Sequence, residues 1–177
     1  KWPELKLNFP GIDPTLLALD QECHFMTGES KENPDSGVNQ DNLAYTIYTS
    51  GSSGFPKAVM ATHGAIFNYL MWRSEYFPLT GADRLLHTSS ICFDDSVWEF
   101  FEPLAVGATL ILSTGVGVPQ LVNLISEHEI TVAGMVPAML HALVDEPDIE
   151  RCKSLRRVTT GGEALTAELK NRFYSKL

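Results

Sequence analysis

Cysteine is scarce in this chain and does not pair. Cys23, Cys92 and Cys152 are odd in number, widely spaced and without a Cys-x-x-Cys motif. That excludes a disulfide framework and a zinc knuckle, and it fits a reducing cytoplasm, the expected location. His24, His63, His87, His128 and His141 never stand at the His-x-x-x-His spacing that aims two imidazoles at one ion, so no metal site is expected from them. Positive charge is also short. Against 22 Asp plus Glu stand 13 Lys plus Arg, a formal charge of −9, the wrong sign for gripping nucleic acid by neutralising phosphates. No apolar run reaches the roughly 18 to 20 residues of a membrane helix. The opening Lys1-Trp2 segment lacks the basic-then-apolar shape of a secretion signal. Neither nucleic acid nor membrane is an expected partner.

What is present is a chain able to bury a core, with 44% hydrophobic and 20% charged residues. Residues 28 to 42 read GESKENPDSGVNQDN, a polar linker that closes an N-terminal segment, residues 1–42, in which only a short helix over Pro14–Gln21 is expected. Residues 43–83 follow as a strand over Leu43–Thr49, a small-residue loop, and a helix over Gly64–Tyr76 with Ile66, Tyr69, Leu70 and Arg73 at helical spacing.

From residue 84 to 177 strand and helix alternate four times. Strands are expected over Leu85–Ser89, Thr109–Ser113, Ile130–Val136 and Arg156–Thr160. Helices are expected over Ser96–Val106, Pro119–Glu129, from Pro137 onward, and from a Thr166 cap to Lys176. Ser96 and Glu99 stand at the spacing of a capping box. Short strands joined by helices argue for an α/β class: a mostly parallel sheet with helices on both faces and ligands beyond the carboxyl ends of its strands.

Chemistry gathers in three places. Thr49–Lys57 reads TSGSSGFPK, in which glycines let the backbone approach a ligand, hydroxyls donate hydrogen bonds and a lysine supplies a point charge. A nucleotide phosphate suits it; a surface turn of Ser and Gly has the same composition. A Walker loop is excluded because Lys57 follows Pro56 and precedes Ala58, and the Gly-x-Ser-x-Gly elbow of a hydrolase is absent. The other two places are CFDDSVWEFFEPLAVGATL, residues 92–110, and RVTTGGEAL, residues 157–165.

In this order and spacing, LAYTIYTSGSSGFPKAVMATH and these two segments resemble the adenylate-forming enzymes, in particular the adenylation domains of nonribosomal peptide synthetases. The resemblance implies the large N-terminal domain of such an enzyme. It implies ATP and Mg2+ as cofactors, an amino acid as substrate, and a phosphopantetheinyl carrier domain as partner. Thr49, Ser50, Gly51, Ser52, Ser53 and Gly54 would cradle the ATP phosphates, with Thr49 and Lys57 as catalytic residues. Gly161, Gly162, Glu163 and Ala164 would pack against the adenine.

By the same resemblance Asp94 would pair with the substrate's α-ammonium, and Asp95, Trp98, Gly134, Val158 and Thr160 would line the side-chain pocket. A helix cap for Asp94 and a core position for Trp98 are the plainer alternatives. The sequence departs from the family pattern at Ser53, Ala58 and Ala61. The family's later motifs, which carry the main magnesium-binding carboxylate and an adenine-stacking aromatic, do not occur. The expectation is a piece of a longer ligase, inactive alone and completed by the remainder of its domain. The alternatives are a piece of an acyl-CoA or aryl-acid ligase, or a non-catalytic interaction subdomain.

Overall fold

A computed structural model describes residues 28–50, 54–113 and 117–177. The expected helix over Pro14–Gln21 lies outside them, as do Gly51, Ser52 and Ser53. The chain divides into two compact units, Lys1–Gly37 and Val38–Leu177. The described part of the first, residues 28–37, carries no helix or strand.

The second unit opens with a hairpin. β1 (Leu43–Thr49) pairs antiparallel with β2 (Lys57–Thr62), in a register that sets Thr49 opposite Lys57. β2, KAVMAT, escaped the sequence reading because it has one β-branched core former and two alanines, a composition that becomes a strand only when a Tyr- and Thr-rich partner is beside it. Thr62 then caps α1 (His63–Tyr76), its hydroxyl accepting from the Ala65 amide at 3.3 Å.

The remainder is one parallel sheet. β3 (Arg84–His87), β4 (Thr109–Leu112), β5 (Val132–Met135) and β6 (Arg157–Thr160) lie in the order β4-β3-β5-β6. The intervening helices are α2 (Asp95–Ala105), α3 (Val118–Glu127), α4 (Pro137–Asp145) and α5 (Ala167–Lys176). Thr166 caps α5 as expected, accepting from the Leu169 amide.

Helices cover both faces because successive strand side chains point opposite ways. Leu86, Ala133 and Met135 face one core with Leu121, Ile125, Leu140, Leu143 and Leu169, drawn from α3, α4 and α5. Leu85 and Val132 face the other, with Leu79 and Trp98 of α2. Pro119 and Pro137 stand in the first turns of α3 and α4, where their missing donors cost nothing.

Two expectations at the start of α2 are corrected. The capping box does not form: the Ser96 hydroxyl donates to the Phe93 carbonyl at 2.7 Å, and Glu99 turns inward, fully buried. Asp94 occupies the N-cap position in a helical conformation, but its side chain makes no capping bond. β3 also ends at His87, not Ser89, because the next two amides leave the sheet to bond Glu99.

Candidate active site

The strand order places the site. β3 has β4 on one side and β5 on the other, so the chain leaves in one direction from β3 to β4 and builds outward in the other through β5 and β6. Such a reversal opens a crevice beyond the carboxyl ends of the two central strands, the usual seat of ligands in this class. Thr88 to Asp94 lead out of β3 into that position, and Gly134 lies near the end of β5.

Asp94 is exposed there, and its side chain has no hydrogen-bonding partner among the described residues, so its carboxylate is available to a cation. Asp95, one residue on, is also exposed and accepts a long bond from the Trp98 indole at 3.4 Å. Trp98 is only 2% exposed. One face of its ring lies 3.9 Å from the Arg73 guanidinium, a cation–π contact, and its edge fills the space beside Gly134. A β-carbon at Gly134 would stand 2.9 Å from that indole and 2.7 Å from Glu99 Oε1, so the glycine exists to admit these two side chains.

Arg73 is held under the indole by its Nε, which donates to Glu102 Oε2 at 2.8 Å with both side chains buried. A buried charge needs such a partner. The helical spacing already put Arg73 on the apolar stripe of α1, and a cation on an apolar stripe signals a buried anion nearby.

Glu99, which the sequence reading took for half of a capping box and gave no site role of its own, is the buried carboxyl group of this crevice. Its Oε2 accepts from the Thr88 and Ser89 amides, each at 3.0 Å, and its Oε1 from the Ser89 hydroxyl at 2.9 Å. The Thr88 hydroxyl lies 3.3 Å from Oε1 and donates to the Gly134 carbonyl at 2.5 Å. Burial pushes the Glu99 carboxyl up from the usual carboxylate range, against the pull of these donors and of His87. His87 places Nε2 3.8 Å from Oε2 and packs its ring on Phe100. The available signal was a carboxylate one residue from Trp98, on the inner face of a helix, with the hydroxyl run Thr88-Ser89-Ser90 just upstream.

The other residues named from sequence fall elsewhere. Val158 packs against the α3–α4 core, and with Thr160 it lines a cavity of about 220 Å³ between β6, α4 and α5. They therefore lie on the opposite face of the sheet from Gly134, whose register partner is Thr159. Gly161 to Ala164 form an exposed turn after β6, with Gly162 in the left-handed region at φ +80°.

Thr49 and Lys57 face each other at the mouth of the hairpin, where the Thr49 hydroxyl donates to the Lys57 carbonyl at 3.4 Å. Ser50 and Gly54 flank the loop between them; Gly54 has φ +83° and open space around it, room in which backbone amides can meet a phosphate. Among the described residues no group of three or more His, Cys, Asp or Glu could hold a metal ion. No helix among them is long and apolar enough to cross a membrane.

A parallel α/β sheet with loops gathered at the switch point, preceded by the β1–β2 hairpin, defines an α/β class whose ligands sit beyond the strand ends. Residues 9–177 match the model of the AMP-binding enzyme family, and the chain belongs to that family. It is similar to tyrocidine synthase 3 of Brevibacillus parabrevis, with 42% identity over 162 residues, covering 90% of this chain and 2% of that protein. Among solved structures, the nonribosomal peptide synthetase FmoA3 in its α-methyl-L-serine-AMP bound form superposes with a TM-score of 0.69 at 30% identity, covering 77% of this chain and 16% of that one. The N-terminal domain of FACL13 from Mycobacterium tuberculosis shares the fold, with a TM-score of 0.78 at 22% identity over 86% of this chain and 39% of that one. The chain thus spans a small part of the relatives it matches.

Proposed function

We propose that this chain is the part of a nonribosomal peptide synthetase adenylation domain that receives an α-amino acid and the phosphates of ATP. In this reading the substrate carboxylate attacks the α-phosphorus, pyrophosphate leaves, and the aminoacyl-adenylate then passes its acyl group to a carrier-domain thiol. The observation that carries the reading is the unpartnered carboxylate of Asp94 at the switch point, where a charge-assisted bond to an α-ammonium group would form. FmoA3, with an amino-acid adenylate bound, supports the substrate class.

The chain's own residues position and stabilise. Thr49, Ser50, Gly51, Ser52, Ser53 and Gly54 hold the β- and γ-phosphates, and Lys57 neutralises charge that builds as pyrophosphate departs. Asp94 fixes the amino group, Asp95 and Gly134 meet the side chain, and Trp98 backs the pocket from inside the core; Val158 and Thr160, on the other face of the sheet, take no part. Gly161, Gly162, Glu163 and Ala164 pack beside the adenine. Mg2+ would supply neutralisation of phosphate charge, but the described residues offer it no ligand cluster, so no step is assigned to it. The remainder of the adenylation domain and the carrier domain are the partners, and the cytoplasm is the setting.

The test is amino-acid-dependent exchange of labelled pyrophosphate into ATP by the synthetase containing this chain, with each proteinogenic amino acid in turn. Exchange that Asp94→Ala abolishes supports the reading. Exchange driven only by carboxylic acids lacking an amino group, and indifferent to Asp94→Ala, overturns it in favour of an acyl or aryl ligase.

A further inference from the structure

We propose that Glu99 is a positioning residue: its buried carboxyl group fixes the distance between the Asp94 loop and the end of β5, and so sets the geometry in which an amino acid is held. Three elements meet at this one group. It belongs to α2, directly after Trp98. It takes the first two amides beyond β3, those of Thr88 and Ser89, which start the loop to Asp94. Through the Thr88 hydroxyl it reaches the Gly134 carbonyl on β5, and its Oε1 occupies the place of the side chain that Gly134 lacks.

No packing of apolar groups could do this. The sheet ladder ends at His87, and the two half-buried amides that follow would lose their acceptor without it. The clamp returns the chain to α2 within the seven residues from Thr88 to Asp94 and closes the loop at both ends. Movement at Glu99 would be felt at Asp94 and at Gly134 together. The described residues of the phosphate hairpin have no bond to Glu99 and would not feel it.

The proton inventory says what the clamp requires. The Thr88 hydroxyl has one proton, and its 2.5 Å contact to the Gly134 carbonyl claims it, leaving a lone pair toward Glu99 Oε1 at 3.3 Å. A glutamine fits the same site: its carbonyl accepts from the Thr88 and Ser89 amides, and its NH2 donates to the two hydroxyl oxygens. An aspartate keeps the carboxyl group but withdraws it by a methylene. Reach, and not charge, is the property that matters.

Two measurements test this. On this chain, hydrogen exchange at the Thr88 and Ser89 amides is expected to stay near the wild-type rate in Glu99→Gln and to accelerate roughly tenfold or more in Glu99→Asp, with amides of the β1–β2 hairpin unchanged. In the synthetase, Glu99→Asp is expected to raise the amino-acid KM roughly tenfold while the ATP KM stays, and Glu99→Gln to remain within about threefold of wild type in both, a split that a general loss of folding would not give. Glu99→Asp behaving as wild type while Glu99→Gln is damaged overturns the inference, as does equal movement of both KM values. The kinetic measurement rests on the amino-acid-activating reading and the exchange measurement does not. A synthetase without amino-acid-dependent turnover would therefore sink that reading, while amide exchange still decides the role of Glu99.

Discussion

The hairpin with α1 and the parallel sheet with its four helices are built on opposite economies of burial. In α3, Leu121, Val122 and Ile125 are buried, and α4 buries Leu140, Leu143 and Val144. In α1 the only buried residue is Arg73, while Phe67, Met71, Trp72 and Tyr76 stand exposed. The sheet carries its own core; the hairpin and α1 present an apolar surface of the kind that marks an interface. In the proposed reading, the phosphate loop sits on the region that leans on the rest of the domain, and the amino-acid pocket sits on the region that stands by itself. The tie between them is ionic as well as apolar: Arg73 of α1 is paired with Glu102 and stacked on Trp98 of α2, and Leu70 packs against the Leu85 and Trp98 cluster.

The largest expected effect separates these regions directly. Leu143→Ala should destabilise the fold by about 2–5 kcal/mol in urea unfolding, since it leaves a cavity among fully buried neighbours. Phe67→Ser on α1 should change stability by no more than about 0.5 kcal/mol. Equal losses at the two sites would break the comparison.

Next comes Asp94→Ala, which removes a charge-assisted bond to substrate and should cost about 1.5–3 kcal/mol in kcat/KM for the amino acid, with the unfolding midpoint unchanged. Gly134→Ala should then cost about 1–3 kcal/mol of stability, because its β-carbon would collide with a clamped carboxyl group and an indole already in the core. Calorimetric melting reads that loss.

A smaller effect concerns acid. Two bonds from the Arg156 guanidinium, both at 2.7 Å, hold the Asp83 carboxyl well below the usual carboxylate range against its burial; Thr80 and Thr131 add to the pull. The depressed folded-state pKa means this stability is present above the ordinary aspartate value, about 4, and is lost as pH falls below it. Asp83→Asn lacks the contribution throughout, so its deficit in urea midpoint against wild type should be full at pH 7 and shrink below about pH 4. A constant deficit would refute the role of the pair.

The smallest is chemical. Burial pushes the Cys152 thiol up to about 11, while Cys92 is exposed. Peptide mapping after brief treatment with a thiol reagent at pH 8 should find Cys92 modified and Cys152 protected until denaturant is added. Since the folded thiol stays protonated above the ordinary cysteine value, its contribution to stability is intact below roughly pH 8.5 and falls as pH rises toward the folded value.

Much of the architecture was legible because periodicity is a local property. The alternation of short apolar runs with helical stripes between residues 84 and 177, punctuated by Pro119, Pro137 and Thr166, gave four strand–helix pairs with ends displaced by a residue or two. β2 was not legible, since KAVMAT has little strand preference until β1 lies beside it. Asp94 and Gly134 were named from the family resemblance, and both lie beside the switch point. The bonding of Glu99 was misread because the capping-box spacing to Ser96 is a local pattern, and the local pattern lost to a distant one.

The order of elements, the class of fold and the family were determined by the sequence itself, because helix stripes, strand runs and motif spacings are written within a few neighbouring residues. Only the tertiary structure decided the strand order β4-β3-β5-β6, and with it which loops share a crevice. It alone decided that Val158 and Gly134 lie on opposite faces, and that Glu99 bonds amides 10 and 11 residues upstream while the Thr88 hydroxyl bonds a carbonyl 46 residues onward. A buried carboxyl group takes whichever donors the folded chain brings within about 3 Å, and no stretch of sequence shorter than the whole sheet specifies which those will be.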